Sequence, residues 1–337
     1  MRRFILFAAL AGFISLTFTS AMGDDISPSP STSPSALDQP TPTSTPTATP
    51  TIIPYTPTYI LPPMVDQEVP ANLSPSLEKA PLDYPKPYAD RCHTQQNLTA
   101  SLAACEYGNL KSKTTVVLFG DSHALSWFPA IEKLAIAKDW KLLSLTMSSC
   151  WPADIPAWNS TTNKLMTNCT IWRKSTLAKI SRIKPNIIFV SGTGGFATVD
   201  STGKVLTGDA KTQVWRAGIA RTLTILKTAS PRVVVLGDTP HSQYDPADCL
   251  ELNKDSIAKC STPLTKSFNT NWLTEEHNAA LSLNLIWLDP TNWICTTDPC
   301  SPMFGKYLIY RDAGHLTATF AKTLEVPLWR TLSPLLQ

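Results

Sequence analysis

What this sequence lacks narrows it first. Across 337 residues with a net charge of +3 there is no cluster of lysines and arginines. A nucleic acid would find no basic face to bind. The eight cysteines and five histidines include no C-x-x-C pair and no H-x-x-x-H spacing. That argues against zinc, and nothing else in the chain calls for a metal or cofactor. No cysteine precedes Cys92, so an exported N-terminus would carry no thiol to take a lipid. Beyond the N-terminal segment no apolar run is long enough to cross a bilayer, and no internal repeat is present.

What is there divides into three stretches. Residues 1–23 read as a signal peptide: Arg2-Arg3, an apolar run from Phe4 to Phe18, and small residues at Thr19-Ser20-Ala21 for cleavage. An uncleaved membrane anchor is the alternative, although the run is short for a span. Residues 24–88 are proline-rich; 16 of the 29 prolines lie before residue 88. Between Ser27 and Pro63, Pro, Ser and Thr dominate with almost no charge. Such a stretch cannot bury a core and predicts an extended, polyproline-like tether, reaching roughly 100 Å if stiff. Residues 64–113 read as transitional, partly ordered at best before Cys92. Residues 89–337 suffice for one fully cored domain. The expected protein is a monomer, secreted or associated with the cell envelope.

All eight cysteines fall in the domain as four sequence-close couples, and an even count in an exported chain reads as disulfides. The expected pairs are Cys92–Cys105, Cys150–Cys169, Cys249–Cys260 and Cys295–Cys300, each stapling one loop. A loop of the size closed by Cys150–Cys169 contributes about 3 kcal/mol in the chain-entropy model.

Beyond the tether, apolar runs alternate with helical spacing. Strands are predicted over 115–119, 140–147, 186–191, 232–236 and 283–288, and helices over 123–138, 170–183, 211–228, 264–282 and 316–332. Strands apolar throughout, each followed by a helix, predict a mainly parallel sheet covered on both faces, a three-layer α/β/α sandwich. Ligands of such sheets bind beyond the carboxyl ends of the strands.

The first strand ends in Gly120-Asp121-Ser122-His123-Ala124. A serine at a strand-to-helix turn presents its hydroxyl outward, with its own N–H at a helix start that favours developing negative charge. It could equally be a plain helix cap. A serine nucleophile needs a base. His123 follows Ser122 directly and should point away from its hydroxyl; His93 and His241 sit in loops and His277 in a helix. His315 lies in Asp312-Ala313-Gly314-His315-Leu316 before the last helix, with Asp312 spaced to orient it. Taken alone, that pair could also be a turn. Trp127, Trp151, Trp158 and Trp172 gather near the second loop, as core or as sugar-stacking faces. Asp238-Thr239-Pro240-His241 reads as a structural turn or as a cleft wall.

These blocks resemble the SGNH (GDSL-like) hydrolases. The closer resemblance is to SGNH domains fused to bacterial membrane O-acyltransferases, which similarly carry G-D-S-H-A, a following Trp (here Trp127), a Cys-Trp-Pro loop (Cys150-Trp151-Pro152) and an Arg-Asp-x-x-His-Leu ending. The resemblance covers about residues 90–335. It implies an SGNH or flavodoxin-like sandwich in which Ser122 is the nucleophile, His315 the base and Asp312 its orienting acid. It also implies an acylated glycan or small ester as substrate. The product would be either hydrolysis or, with a separate membrane acyltransferase partner, a newly acylated polysaccharide; a non-catalytic glycan-binding domain is the third possibility. One departure matters. Where such esterases place an oxyanion-binding Asn after the third strand, this chain has Ser191-Gly192-Thr193-Gly194-Gly195. The remaining oxyanion candidates are Ser122, Gly192, Thr193 and Gly194. Losing one such donor costs about 2.7–4 kcal/mol of transition-state stabilisation.

Overall fold

The computed structural model describes residues 61–100, 104–268 and 270–336. The expected signal segment and the tether up to residue 60 lie outside the described residues. At the centre of the sheet is β3 (Thr115–Gly120). Around it stand β1 (His93–Thr94), β2 (Glu106–Gly108), β4 (Lys141–Met147), β5 (Ile187–Ser191), β6 (Val233–Leu236) and β7 (Ile286–Leu288). The order is β1-β4-β3-β5-β6-β7, every pair parallel, with β2 antiparallel on the outer edge of β4.

Alternation sets the two layers, because successive side chains of a strand point to opposite faces. Val116 and Leu118 of β3 pack with Leu125, Phe128, Ile131, Phe320 and Leu328. Val117 and Phe119 pack with Trp172, Trp215, Ile219 and Leu223. The first layer holds α1 (Ser122–Ser126), α2 (Phe128–Ala137) and the C-terminal helical stretch; the second holds α3 (Thr167–Ile183), α4 (Gly208–Ala229) and α5 (Thr270–Ser282). Gly120 pairs with Thr146 on one side and Ser191 on the other, so the carboxyl ends of β3, β4 and β5 finish level.

Three predicted helices are broken in the structure. The stretch 123–138 divides at Trp127, because Pro129 in the first turn of α2 has no N–H to continue α1. The stretch 264–282 is a 3₁₀ turn, Leu264–Lys266, followed by α5. The stretch 316–332 is built from Ala318–Ala321, a 3₁₀ turn and Glu325–Leu332. The four disulfides join the same four sequence-close couples named above.

The larger correction concerns residues 61–88, read above as part of the tether. They run across the domain and bond to it. Val69 donates to Lys254 O, and Ser74 exchanges backbone bonds with Lys306 and Leu308. Asp66 accepts from Ser256 Oγ and Ala258 N. Met64, Val69, Leu73, Leu77 and Ala80 form a third apolar cluster with Leu250, Ile257, Met303 and Leu308. Polyproline-like composition hid these widely spaced apolar residues. Each finds its partner far along the chain, where no local periodicity marks it.

Candidate active site

At the level carboxyl edge, Asp121 ends β3 and caps α1. Its Oδ1 accepts from the backbone N–H of His123 (2.8 Å) and Ala124 (3.3 Å). The cap of this helix is therefore Asp121, and Ser122 occupies the first helical position with its hydroxyl free to act. The other oxygen, Oδ2, accepts the N–H of Thr193 at 3.0 Å. One buried carboxylate thus ties the serine turn to the glycine-rich segment after β5. Gly120 makes the approach possible: a Cβ there would stand 1.8 Å from Ser191 O, and its φ of +149° suits glycine.

Residues from opposite ends of the domain meet here. Ser122 Oγ lies 2.9 Å from His315 Nε2. On the far side of the ring, Nδ1–H donates to Asp312, with Oδ1 at 2.9 Å and Oδ2 at 3.0 Å. Asp312 also accepts the backbone N–H of Gly314 and His315, and Arg311 Nε at 3.3 Å. Burial pushes the Asp312 carboxyl up, but the His315 bond and charge, with the Gly314 N–H and Arg311, hold it below the usual range. Burial is also the main influence on His315; with the nearby charge of His123 it outweighs Asp312, and the imidazole is held below its ordinary pKa. His315 is thus neutral at neutral pH, with a lone pair facing the hydroxyl. That is the geometry of a general base on a serine.

Arg311 is buried and is itself held from the N-terminal segment. Its guanidinium lies over the rings of Tyr84 and Tyr88, 4.4 and 5.2 Å from their centroids. It also donates to Tyr88 Oη at 3.3 Å.

Beside the three residues stands a second constellation. His123 faces into the site: its Nδ1 is 2.8 Å from Asp238 Oδ1, and its ring packs 4.6 Å from that of His315. His241 Nε2 meets the other Asp238 oxygen at 3.2 Å. The segment Asp238-Thr239-Pro240-His241 therefore belongs to the site wall and is more than a structural turn. Burial opposes charge on His123, but Asp238, helped by Asp121 and Asp312, lifts its pKa to about 9. Among the described residues, His123, Asp238 and His241 are also the one group whose ligand atoms lie close enough to hold a metal, within 4.8 Å of one another.

A cavity of about 480 Å³ opens along this edge. Gly192, Thr193 and Gly194 form one wall, Asp238 and His241 another, and Trp272, Leu273 and Glu276 of α5 a third. Gly194 lies so close to the Trp272 side chain that a Cβ would come within 2.4 Å of the Trp272 Cβ and 2.7 Å of the indole. Of the four tryptophans considered from the sequence, Trp127, Trp151 and Trp172 are buried in the core and Trp158 is half-buried in a small hairpin. The tryptophan at the cavity, Trp272, and the carboxyl beside it, Glu276, carry no motif. Their only sequence signal is i, i+4 spacing on one helix.

Known proteins resemble this chain in family and fold. The family model described as "SGNH domain (fused to AT3 domains)" matches residues 91–329. The periplasmic domain of a lipopolysaccharide acetyltransferase from Salmonella ser. Paratyphi A superposes with a TM-score of 0.52 at 16% identity, covering 73% of this chain and 91% of that one. A carbohydrate esterase family 2 enzyme from Corynascus thermopiles (Myceliophthora fergusii) gives 0.38 at 13%, with 66% of each chain covered. An acetyl xylan esterase from the rumen bacterium Butyrivibrio proteoclasticus gives 0.30 at 9%, covering 66% and 65%. No curated protein matches the chain. With the family model spanning most of the folded chain, this protein belongs to the SGNH family of ester hydrolases and acyltransferases, in the branch of SGNH domains fused to AT3 domains.

Proposed function

We propose that this protein is a secreted O-acyl esterase, acting on acetylated glycans of the cell envelope or extracellular space through an acyl-serine intermediate. The observation that carries the reading is the unbroken line Asp312–His315–Ser122, with contacts of 2.9 Å on each side of the imidazole. His315 takes the Ser122 proton as Oγ bonds to the ester carbonyl carbon. The tetrahedral intermediate collapses, the carbon–oxygen bond to the sugar breaks, and His315 returns the proton to the leaving alkoxide. Water, deprotonated by the same imidazole, then releases the acyl group as the free acid. We assign the oxyanion to the backbone N–H groups of Ser122, Gly192 and Gly194. Asp121 fixes the segment carrying the two glycines by holding the Thr193 N–H between them.

A second reading, transfer of the acyl group to a sugar hydroxyl with a membrane acyltransferase as donor, is favoured by the family's fusion to AT3 domains. Its first half-reaction is the same, so Ser122 and His315 keep their roles. Among the described residues no helix is long and apolar enough to cross a membrane.

The test is p-nitrophenyl acetate turnover by the wild type and by Ser122→Ala. We expect the variant to lose activity by about a thousandfold or more, the scale of nucleophile removal in serine hydrolases. Equal rates would end the enzyme reading.

A further inference from the structure

The cavity at the carboxyl edge, whose walls include the Gly192–Gly194 segment and Asp238 but not Ser122 or His315, is far larger than an acetyl group fills, and its volume of about 480 Å³ lies in the range of small-molecule sites. Its walls are of mixed character. Trp272 and Leu273 present apolar surface, while His241, Lys266 and Glu276 present polar groups. Glu276 stands out among them. Its residue is 5% exposed, and among the described residues its carboxyl has no hydrogen-bond or ion-pair partner. A buried carboxyl left unpartnered is costly unless something else satisfies it. This one faces the cavity.

Its protonation state narrows what that something is. Burial is the main cause, and Asp238 and Asp121 add to it; together they hold Glu276 well above its ordinary range. A neutral carboxylic acid offers one O–H donor and an acceptor oxygen in one plane. Two neighbouring hydroxyls of a sugar ring present the complementary set, one accepting and one donating. A charged sugar would meet Lys266 on the wall but also Asp238 and Asp121, whereas a neutral one matches the uncharged carboxyl.

We propose that the cavity is the subsite for the ester-bearing sugar, an uncharged pyranose, and that Glu276 reads a pair of its free hydroxyls against the wall formed by Trp272. The inference rests on the esterase reading for the ester but not for the sugar, which binds whether or not the serine turns over. Glu276 acts here on binding and orientation. It holds the leaving sugar so that its acylated oxygen faces Ser122 and His315.

The experiment is saturation-transfer NMR with the methyl glycosides of glucose, galactose and mannose on Ser122→Ala protein, and on the same protein carrying Glu276→Gln or Glu276→Leu. At least one glycoside should receive saturation from Ser122→Ala. Glu276→Gln, which still donates and accepts, should keep that signal within about twofold, and Glu276→Leu should lose it by about tenfold, the worth of one to two hydrogen bonds. In the Ser122→Ala protein the Trp272 indole resonance should shift on adding the sugar, which locates the site even if the Leu variant fails to fold. No transfer from any glycoside, equal transfer to the folded Leu variant, or an unmoved Trp272 resonance overturns the subsite. Stronger transfer to methyl glucuronide than to the neutral glycosides also overturns it, in favour of an acid sugar. Loss of the subsite with Ser122-dependent p-nitrophenyl acetate turnover intact leaves the esterase reading standing; loss of turnover with sugar binding intact does the reverse.

Discussion

His315 is pulled two ways. Asp312 favours its protonated form, while burial, the His123 charge and Arg311 favour the neutral one, and the neutral form wins. A base whose pKa lies below 6.5 is still deprotonated in mildly acidic surroundings. The acid limb of kcat/KM for p-nitrophenyl acetate should therefore fall below pH 6.5. His123→Gln removes one of the charges that hold the pKa down, so the same limb should move to higher pH. An unmoved limb in the folded variant would show that His123 only fills space. Asp312→Asn, which keeps the shape and loses the charge, should lower kcat by about three to four orders of magnitude. The three triad candidates were legible because each lies in a short motif beside a turn. Asp238 and His241 read first as a structural turn, because a turn composition explains them until His123 is seen to reach across to Asp238. Glu276 was invisible: a glutamate on a helix reads as solvated until its burial is known.

At the level of elements, the site depends on how closely β3 and β5 approach at their ends. Gly120 allows that approach, and a methyl group there would collide with the Ser191 carbonyl. Gly120→Ala should destabilise the protein by more than about 2 kcal/mol, because backbone is what must move. Urea unfolding should show a lower midpoint with an unchanged m-value, and an unshifted midpoint would refute this account. The five central strands were readable from their runs of Val, Ile, Leu and Phe, since strands buried on both faces carry no polar alternation to confuse them. β1 and β2 were not. Two or three residues make no pattern, and they are strands only because the edge of β4 offers them partners.

On the scale of the molecule, the N-terminal segment is a working part of the domain. Tyr84 and Tyr88 cover Arg311, and Arg311 bonds the carboxylate that orients His315. A chain shortened to begin at residue 90 should lose this cover along with the apolar cluster around Leu73 and Leu77. We expect a lower melting temperature, by about 2–4 °C for each kcal/mol lost in a domain of this size, and kcat/KM reduced by about tenfold. Full activity and stability in the shortened chain would make the segment dispensable. Composition misled here because proline content marks extended backbone, and extended backbone serves a strap across a surface as well as a free linker.

Ser122 and His315, the proposed nucleophile and base, are 193 positions apart in the polypeptide. A ribosome or export channel that has released only the first of them has produced a chain with an ordinary, unreactive alcohol. Reactivity arrives late, once the segment carrying His315 has closed onto the carboxyl edge of β3. Timing of this kind would keep an acyl-transferring serine chemically silent until the domain is finished.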